Sequence, residues 1–449
     1  METNGLITDV LYGSIEVTKE EENLFNSSWM QRTRRIHQLQ GAHFVFPTAE
    51  HTRFTHLLGS MYLAGEFALN IYPTLRENVK DTPSLALVEE TLRLAGLLHD
   101  IGMGPFGHFF DDEYLYQYGI NHEDIGRNLI LEDFAGIISN LTRSPHGMFQ
   151  VGEFIEPVWV AWLISSRPYE KGVNQLGNTS FLNLPEWVKV CKPILCGPVT
   201  VDNLDYVCRD AYMTGFPVGA DIKRIIHYTF VSKEGIVLHS KAIDSLQEFL
   251  TARIFLYNNV YYHKTLRRIV ISLKEIFKAT IEEILPGNPL YYKKEYQQLN
   301  DWSLLTKMQE WVENPDNAFH QELGLSWKKI LERNLDWHFA YEFSANVETD
   351  LSDAIEILKK EFVFHGGNLL ELTIDCVHAD IAPKHPISED GLTVIYDYIT
   401  DEIIHDSQRL IIDRLPKHVQ LLRVFCKNPE QTLIVNKLAQ SIFCGKVLV

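Results

Sequence analysis

At 449 residues with 59 acidic against 41 basic side chains, the chain carries a formal charge of −18. So acidic a surface repels phosphodiester backbones and anionic lipid, which argues against nonspecific nucleic-acid or membrane binding and for a small partner. A hydrophobic share of 45% is ordinary globular usage, and the length suits either two or three domains or one large helical unit with an appended lobe.

Six cysteines (Cys191, Cys196, Cys208, Cys376, Cys426 and Cys444) are scattered without a CxxC pair, as expected of buried thiols in a reducing compartment. METNGLITDV lacks the basic and apolar stretches of a secretory signal, and no apolar run approaches the ~20 residues of a membrane helix. A cytoplasmic location is therefore expected.

In chain order, ITDVLYGSIEVT alternates as a β-hairpin turning at Gly13. EEENLFNSSWMQRTRRIHQL has helical spacing, with Ser27 or Ser28 as a cap within it. Helices are predicted over 55–76, 85–99, 122–131, 153–165, 201–211 and 240–284. The last is largely amphipathic and free of Gly and Pro, which predicts one continuous scaffold. NPLYYKK and VENPDNAF give turn signals near 288 and 314, after which LELTIDCV, LTVIYDYI and HVQLLRVFC read as strands. The fold class is mainly α, a helical core with a C-terminal α+β lobe. Residues 1–290 and 291–449 are taken as the two parts, with the pattern changing over 290–345.

His and Asp are conspicuous in HTRFTH (51–56), in LLHDIGMGPFGHFFDD (97–112) with NHED (121–124), and in VDNLDYVCRD (201–210). His99 and Asp100 end an apolar helix against IGMGP. Adjacent side chains on a regular helix diverge by about 100°, so both reach one point most easily where the helix breaks. Imidazole with carboxylates suits a divalent ion that keeps open positions, although an HD dipeptide alone says little. Arg53 and His56 share a face, placing a candidate ligand beside a cation able to grip phosphate. Separately, a surface ion pair and a core histidine would account for them. Asp202, Tyr206 and Asp210 share another face, either as a solvated stripe or as part of a site. Spacing does not choose between Asp202 and Asp205.

In order and spacing, FVFPTAEHTRFTHLLGSMYLAG, LAGLLHDIGMGPFGHFFD and VDNLDYVCRDAYMTG resemble the dNTP triphosphohydrolase branch of the HD superfamily. ARIFLYNNVYYHKT (252–265) resembles that branch's substrate-contacting helix. The resemblance covers roughly residues 7–270; beyond them LLRVFCK (421–427) is the one similar stretch. It implies an HD-domain core holding one divalent metal ion (Mn, Fe, Mg or Zn) on His56, His99, Asp100 and Asp202. Arg53 would contact phosphate, His108 would protonate the departing 5′ oxygen, and Asp111 with His122 would form the adjoining acid–base pair. Gln38 and Asp210 would recognise the sugar 3′-hydroxyl, with Tyr206, Arg253 and Tyr261 as further substrate contacts.

The implied reaction converts a dNTP to deoxynucleoside and triphosphate. The implied assembly is a homo-oligomer, dimer or tetramer, with a nucleotide activator at Gln31 and Arg34. Two positions depart from the family. Asn26 replaces an acidic residue of the activator site. Met103 replaces a histidine that lies beside the α-phosphate, and a thioether neither donates a hydrogen bond nor carries charge. The alternatives are a phosphohydrolase of other nucleotides, monophosphate or cyclic, and a catalytically weak nucleotide-binding regulator.

Overall fold

The computed structural model describes residues 5–166, 183–197, 199–217, 219–345, 350–380, 395–404 and 418–446. The opening hairpin pairs Gly5–Asp9 antiparallel with Gly13–Val17. Asp9 Oδ1 closes its turn by accepting from the amides of Leu11 and Tyr12. The helical stretch that follows is two helices, Lys19–Phe25 and Ser28–Thr33, started by a Thr18–Glu21 capping box and by the Ser27 hydroxyl. Helix does not continue through IHQL. There the backbone bonds to distant elements instead, with the amides of Asp301 and Arg53 donating to the carbonyls of Arg35 and Ile36.

Three helices carry the centre of the molecule: Arg53–Asn78, Leu85–Leu98 and Val201–Thr214. Leu57, Met61, Leu92, Leu97, Leu98, Leu204 and Val207 are all buried where they pack. Helices at His122–Glu132 and Pro157–Leu163 flank them, as their periodicity predicts.

The stretch 240–284 is not one scaffold helix. It divides into Ile243–Leu256, a π turn at Tyr257–Tyr261, Lys264–Lys274 and Phe277–Ile284. His263 makes the main break without Gly or Pro: its Nδ1 accepts from the Thr265 amide and starts a new helix. The wide turn brings Tyr257 and Tyr261 to a cavity wall, a common use of π geometry.

The C-terminal lobe has a three-stranded antiparallel sheet with His418–Cys426 between His338–Ala345 and Leu372–Asp380. Helices Ser352–Phe364 and Thr432–Lys446 supply Leu358, Phe362, Val435 and Phe443 to its core. His338–Ala345 is a strand that the sequence patterning did not reveal. Of LTVIYDYI, Ile395–Asp397 is a described strand, but it joins a different sheet. That sheet has four strands in the order Glu402–Ile404, Ile395–Asp397, Gly235–His239, Thr229–Ser232, with Leu238 parallel to Ile395. The main apolar core includes Tyr296, Trp311 and Trp327 and runs through Leu335; the lobe's core begins at Ala340. The fold is thus mainly α, with a C-terminal α+β lobe.

Helices Arg53–Asn78 and Leu85–Leu98 approach closely at Gly96, where an added Cβ would lie 2.6 Å from the Ser60 carbonyl oxygen. Backbone cannot swing aside as a side chain can. Gly96→Ala is therefore expected to destabilise the protein by about 1–3 kcal/mol, the usual range for overpacking. The midpoint of urea unfolding checks this, and an unchanged midpoint would contradict the close approach.

Candidate functional site

His56 lies in the first turn of Arg53–Asn78, His99 caps Leu85–Leu98, Asp100 follows at the break, and Asp202 opens Val201–Thr214. Their polar atoms converge. His56 Nε2 is 3.2 Å from His99 Nε2 and 3.1 Å from Asp202 Oδ1. His99 Nε2 is 3.6 Å from Asp202 Oδ1 and 3.7 Å from Asp100 Oδ2. Each outer ring nitrogen is engaged elsewhere: His56 Nδ1 with Asp205 Oδ2 and His99 Nδ1 with the Gly96 carbonyl, both at 2.8 Å.

With both Nδ1–H groups donating outward, both Nε2 lone pairs turn to one point beside carboxylates, which is the donor set of a cation site. Metal–imidazole bonds of ~2.0–2.1 Å set two nitrogens on one ion about 3.0–3.4 Å apart, and the two Nε2 atoms fit that spacing. His56, His99 and Asp100 form a group able to hold a metal ion.

Asp205, the other acid of the VDNLD segment, lies behind His56 and away from the convergence point. Its carboxylate is fully buried and receives Arg209 Nε and Nη2 at 2.8 and 2.9 Å and the Tyr12 hydroxyl at 2.9 Å. A Cβ on Gly59 would stand 1.9 Å from Asp205 Oδ1, so only glycine lets that carboxylate reach His56.

Beside the cluster, Arg53 donates from Nη1 to Asp100 Oδ2 at 2.5 Å and from Nη2 to the Gln38 carbonyl at 3.1 Å. His122 spans two acids, with Nε2 3.3 Å from Asp100 Oδ1 and Nδ1 hydrogen-bonded to Asp111. Burial opposes a charge on this imidazole, but the two carboxylates outweigh it and raise its pKa well above the ordinary value. His108 meets the His122 ring edge-on and borders the cavity. Although the ring is accessible from the cavity, the protein packed around it, then repulsion from His122 and Arg53, lowers its pKa to about 4.

Arg53, His99, Asp100, His108, His122 and Asp202 border a cavity of about 800 Å³, which Gln38, Tyr206, Asp210, Arg253 and Tyr261 also line. Asp210 Oδ2 accepts from the Tyr261 hydroxyl at 2.6 Å, and Oδ1 is 2.8 Å from His51 Nε2. Gln38 Oε1 is buried with no hydrogen-bond partner among the described residues. His51 went unassigned in the sequence although HTRFTH begins with it.

Asp301 was also missed. Its Oδ1 accepts from the Phe106 amide, and its Oδ2 from the His37 amide, at 2.9 Å each. It thereby ties the loop after His99–Asp100 to the segment carrying Gln38. Phe106 takes φ +61, an unfavourable backbone for a bulky residue, and borders the cavity.

Of the positions singled out in the sequence, His56 and Asp111 stand just behind the cavity lining, and Gln31, Arg34 and Met103 lie apart from it. Gln31 and Arg34 hydrogen-bond each other at 3.1 Å, and the Arg34 guanidinium covers the Phe54 ring. Met103 turns inward: its side chain is fully buried, and its carbonyl accepts from Arg32 Nη1 at 2.6 Å. Its thioether is not among the groups that line the cavity.

Burial disfavours a charge on His56, yet hydrogen bonds to Asp202 and Asp205 outweigh it and push the pKa up to about 9. Below that pH an incoming ion must displace this proton. Apparent affinity for Mn²⁺ should therefore rise from about pH 7 to about pH 9, by at most roughly tenfold per unit, then level off. Calorimetry in buffers of different ionisation heat counts the protons released; affinity independent of pH would contradict the assignment.

Residues 53–172 match the HD domain family and residues 220–354 match the HD associated region. The deoxynucleoside triphosphate triphosphohydrolase SAMHD1 homolog of Dictyostelium discoideum is 26% identical, over 95% of this chain and 78% of its own length. Deoxynucleoside triphosphate triphosphohydrolase SAMHD1 of Gallus gallus is also 26% identical, over 96% and 73%. A solved hypothetical protein from Aquifex aeolicus shares the fold, with a TM-score of 0.72 at 22% identity over 97% of this chain and 100% of the other. With the His–Asp pair at the expected helix break and both family regions in sequence, the chain belongs to the HD superfamily of phosphohydrolases.

Proposed function

We propose that this protein is a metal-dependent phosphohydrolase that cleaves dNTPs to a deoxynucleoside and inorganic triphosphate. One observation carries the reading: a single cavity is lined both by His99, Asp100 and Asp202 of the His–Asp cluster and by the hydrogen-bonded pair Asp210–Tyr261, a cation site beside a hydroxyl-binding site. The names of the Dictyostelium and Gallus relatives support the choice of dNTPs.

In this reading His56, His99, Asp100 and Asp202 hold one divalent ion, Mn, Fe, Mg or Zn. Such an ion would lower the pKa of a water to ~7 and offset charge on the attacked phosphate. Arg53, anchored through Nη1 and Nη2, directs its charge at a phosphate oxygen. His108 is neutral in the free cavity; a phosphate chain against it raises its pKa, so it gains a proton with substrate and passes it to the 5′ oxygen. Asp111 and His122 hold the adjoining charge in place.

Gln38, through its buried unpartnered Oε1, and Asp210 receive the sugar 3′-hydroxyl. Tyr206, Arg253 and Tyr261 complete the contacts. Gln31 and Arg34 form the activator contact of a dimer or tetramer. No helix among the described residues is long and apolar enough to cross a membrane.

One observation favours a second reading. Among the described lining residues the arginines and lysines are Arg53 and Arg253, set against Asp100, Glu123, Asp202 and Asp210. That balance favours nucleotides with fewer phosphates.

Chromatography of products from a panel of dNTPs, NTPs and monophosphates, with Mn²⁺ present, separates the readings. Nucleoside with intact triphosphate from dNTPs supports the first; orthophosphate released only from monophosphates replaces it with the second. His99→Ala and Asp100→Ala are expected to lose bound metal and at least a hundredfold in turnover, roughly the loss of ~3 kcal/mol of transition-state stabilisation. Full metal stoichiometry in either variant by elemental analysis would refute the ligand set.

A further inference from the structure

We propose that the N-terminal hairpin sets the ligand His56 from behind, with Asp9 and Tyr12 as positioning residues that act through Arg209 and Asp205. The inference rests on reading the His–Asp cluster as a metal centre.

The contacts form an unbroken buried chain. Asp9 uses one oxygen for the hairpin turn and the other, Oδ2, to accept from Arg209 Nη1 at 2.8 Å. Arg209 donates from Nε and Nη2 to Asp205, and Tyr12 donates to the same carboxylate. Asp205 Oδ2 then accepts from His56 Nδ1. The Asp9, Arg209 and Asp205 side chains are 6%, 2% and 0% exposed, so water cannot replace a lost partner. Tyr12 is fixed in turn by stacking on Tyr62, a residue of the His56 helix, at 4.8 Å between ring centres.

Electrostatics gives the chain a direction. Arg209 divides its charge between two carboxylates. Neutralising Asp9 leaves Asp205 as its one ionised partner there, draws that carboxylate toward the guanidinium, and weakens its hold on the His56 Nδ1–H. The ring then loses both orientation and basicity at Nε2, which is how outer partners tune a ligating histidine. The hairpin region also reaches the second histidine's helix: Arg93 of Leu85–Leu98 donates to the Glu16 carbonyl and to Glu21, at 2.9 and 2.8 Å. Asp9 and Tyr12 are not among the cavity-lining residues, so an effect of either on metal binding is transmitted and not direct.

The test uses the full chain carrying Asp9→Asn, Tyr12→Phe, Asp205→Asn or the Asp9→Asn/Asp205→Asn pair, with Ile15→Ala as a control on the hairpin's buried apolar face. Co²⁺ affinity is measured by chelator competition at a temperature where circular dichroism shows every protein folded, and the visible Co²⁺ spectrum is recorded. Asp9→Asn is expected to weaken binding roughly tenfold, the lower end for outer-partner changes, and to shift the Co²⁺ bands. The double variant should bind no more weakly than Asp205→Asn alone, since both changes act on one path. Ile15→Ala should lower the melting temperature and leave affinity unchanged.

If the parent binds no Co²⁺, the metal reading itself falls. If the parent binds and Asp9→Asn binds equally well, or Ile15→Ala weakens binding as much, or the two aspartate effects add, the positioning role is overturned. Should Asp9→Asn fail to fold, Tyr12→Phe removes one hydroxyl only and is judged by the same shift in affinity and spectrum.

Discussion

Two imidazole nitrogens face each other at 3.2 Å in the interior of a helical protein, each with its outer nitrogen already committed. Left to themselves, such rings turn away and solvate their lone pairs. Here they cannot, because one is pinned by the buried Asp205 carboxylate and the other by the Gly96 carbonyl of its own helix. The packing of the central helices, the glycines where they touch, and the buried Asp205–Arg209 pair all serve to hold that facing arrangement. Such order costs free energy, and stored strain of this kind is found at functional sites. Phe106, in its left-handed conformation a few residues beyond Asp100, belongs to the same account.

Much of this was legible in the sequence, for definite reasons. An apolar helix running into IGMGP must end near His99, and the structure ends it at Leu98. Asp202 and Asp210 share a helix face by arithmetic, and both border the cavity. What could not be read were contacts between residues far apart in the chain. His51 meets Asp210 across 159 positions, and Asp301 meets Phe106 across 195. Nothing local to either member announces the other. The stretch 240–284 misled for a different reason: helices can be broken by a side-chain cap such as His263 as well as by Gly or Pro. Met103 shows the limit of matching by position, since a motif does not tell whether the residue in it is buried, as this one is.

The strongly acidic surface and the site need not agree in sign. A cavity bordered by four carboxylates and two arginines repels a phosphate chain until a divalent ion enters, so metal and substrate would bind as partners in one charge balance. The walls of that cavity come from distant stretches of chain. The segment carrying Gln38, the loop after Asp100 and the helix beginning at Asp301 are fastened by one buried carboxylate. The HD associated region thus shapes the site both directly, through Arg253, Tyr257 and Tyr261 on its wall, and from outside it, through Asp301.

The four-stranded sheet has a bearing on how the molecule assembles. Its inner strand Gly235–His239 pairs in parallel with Ile395–Asp397, a partner about 160 residues downstream. A ribosome extends a chain at about 5–20 residues per second. The earlier strand would therefore wait several seconds with one edge of its backbone unpaired, although the helices around the His–Asp cluster are already synthesised. Exposed strand edges invite pairing with other chains. Synthesis of the segment carrying Ile395–Asp397 thus ends an interval of vulnerability for a strand made much earlier.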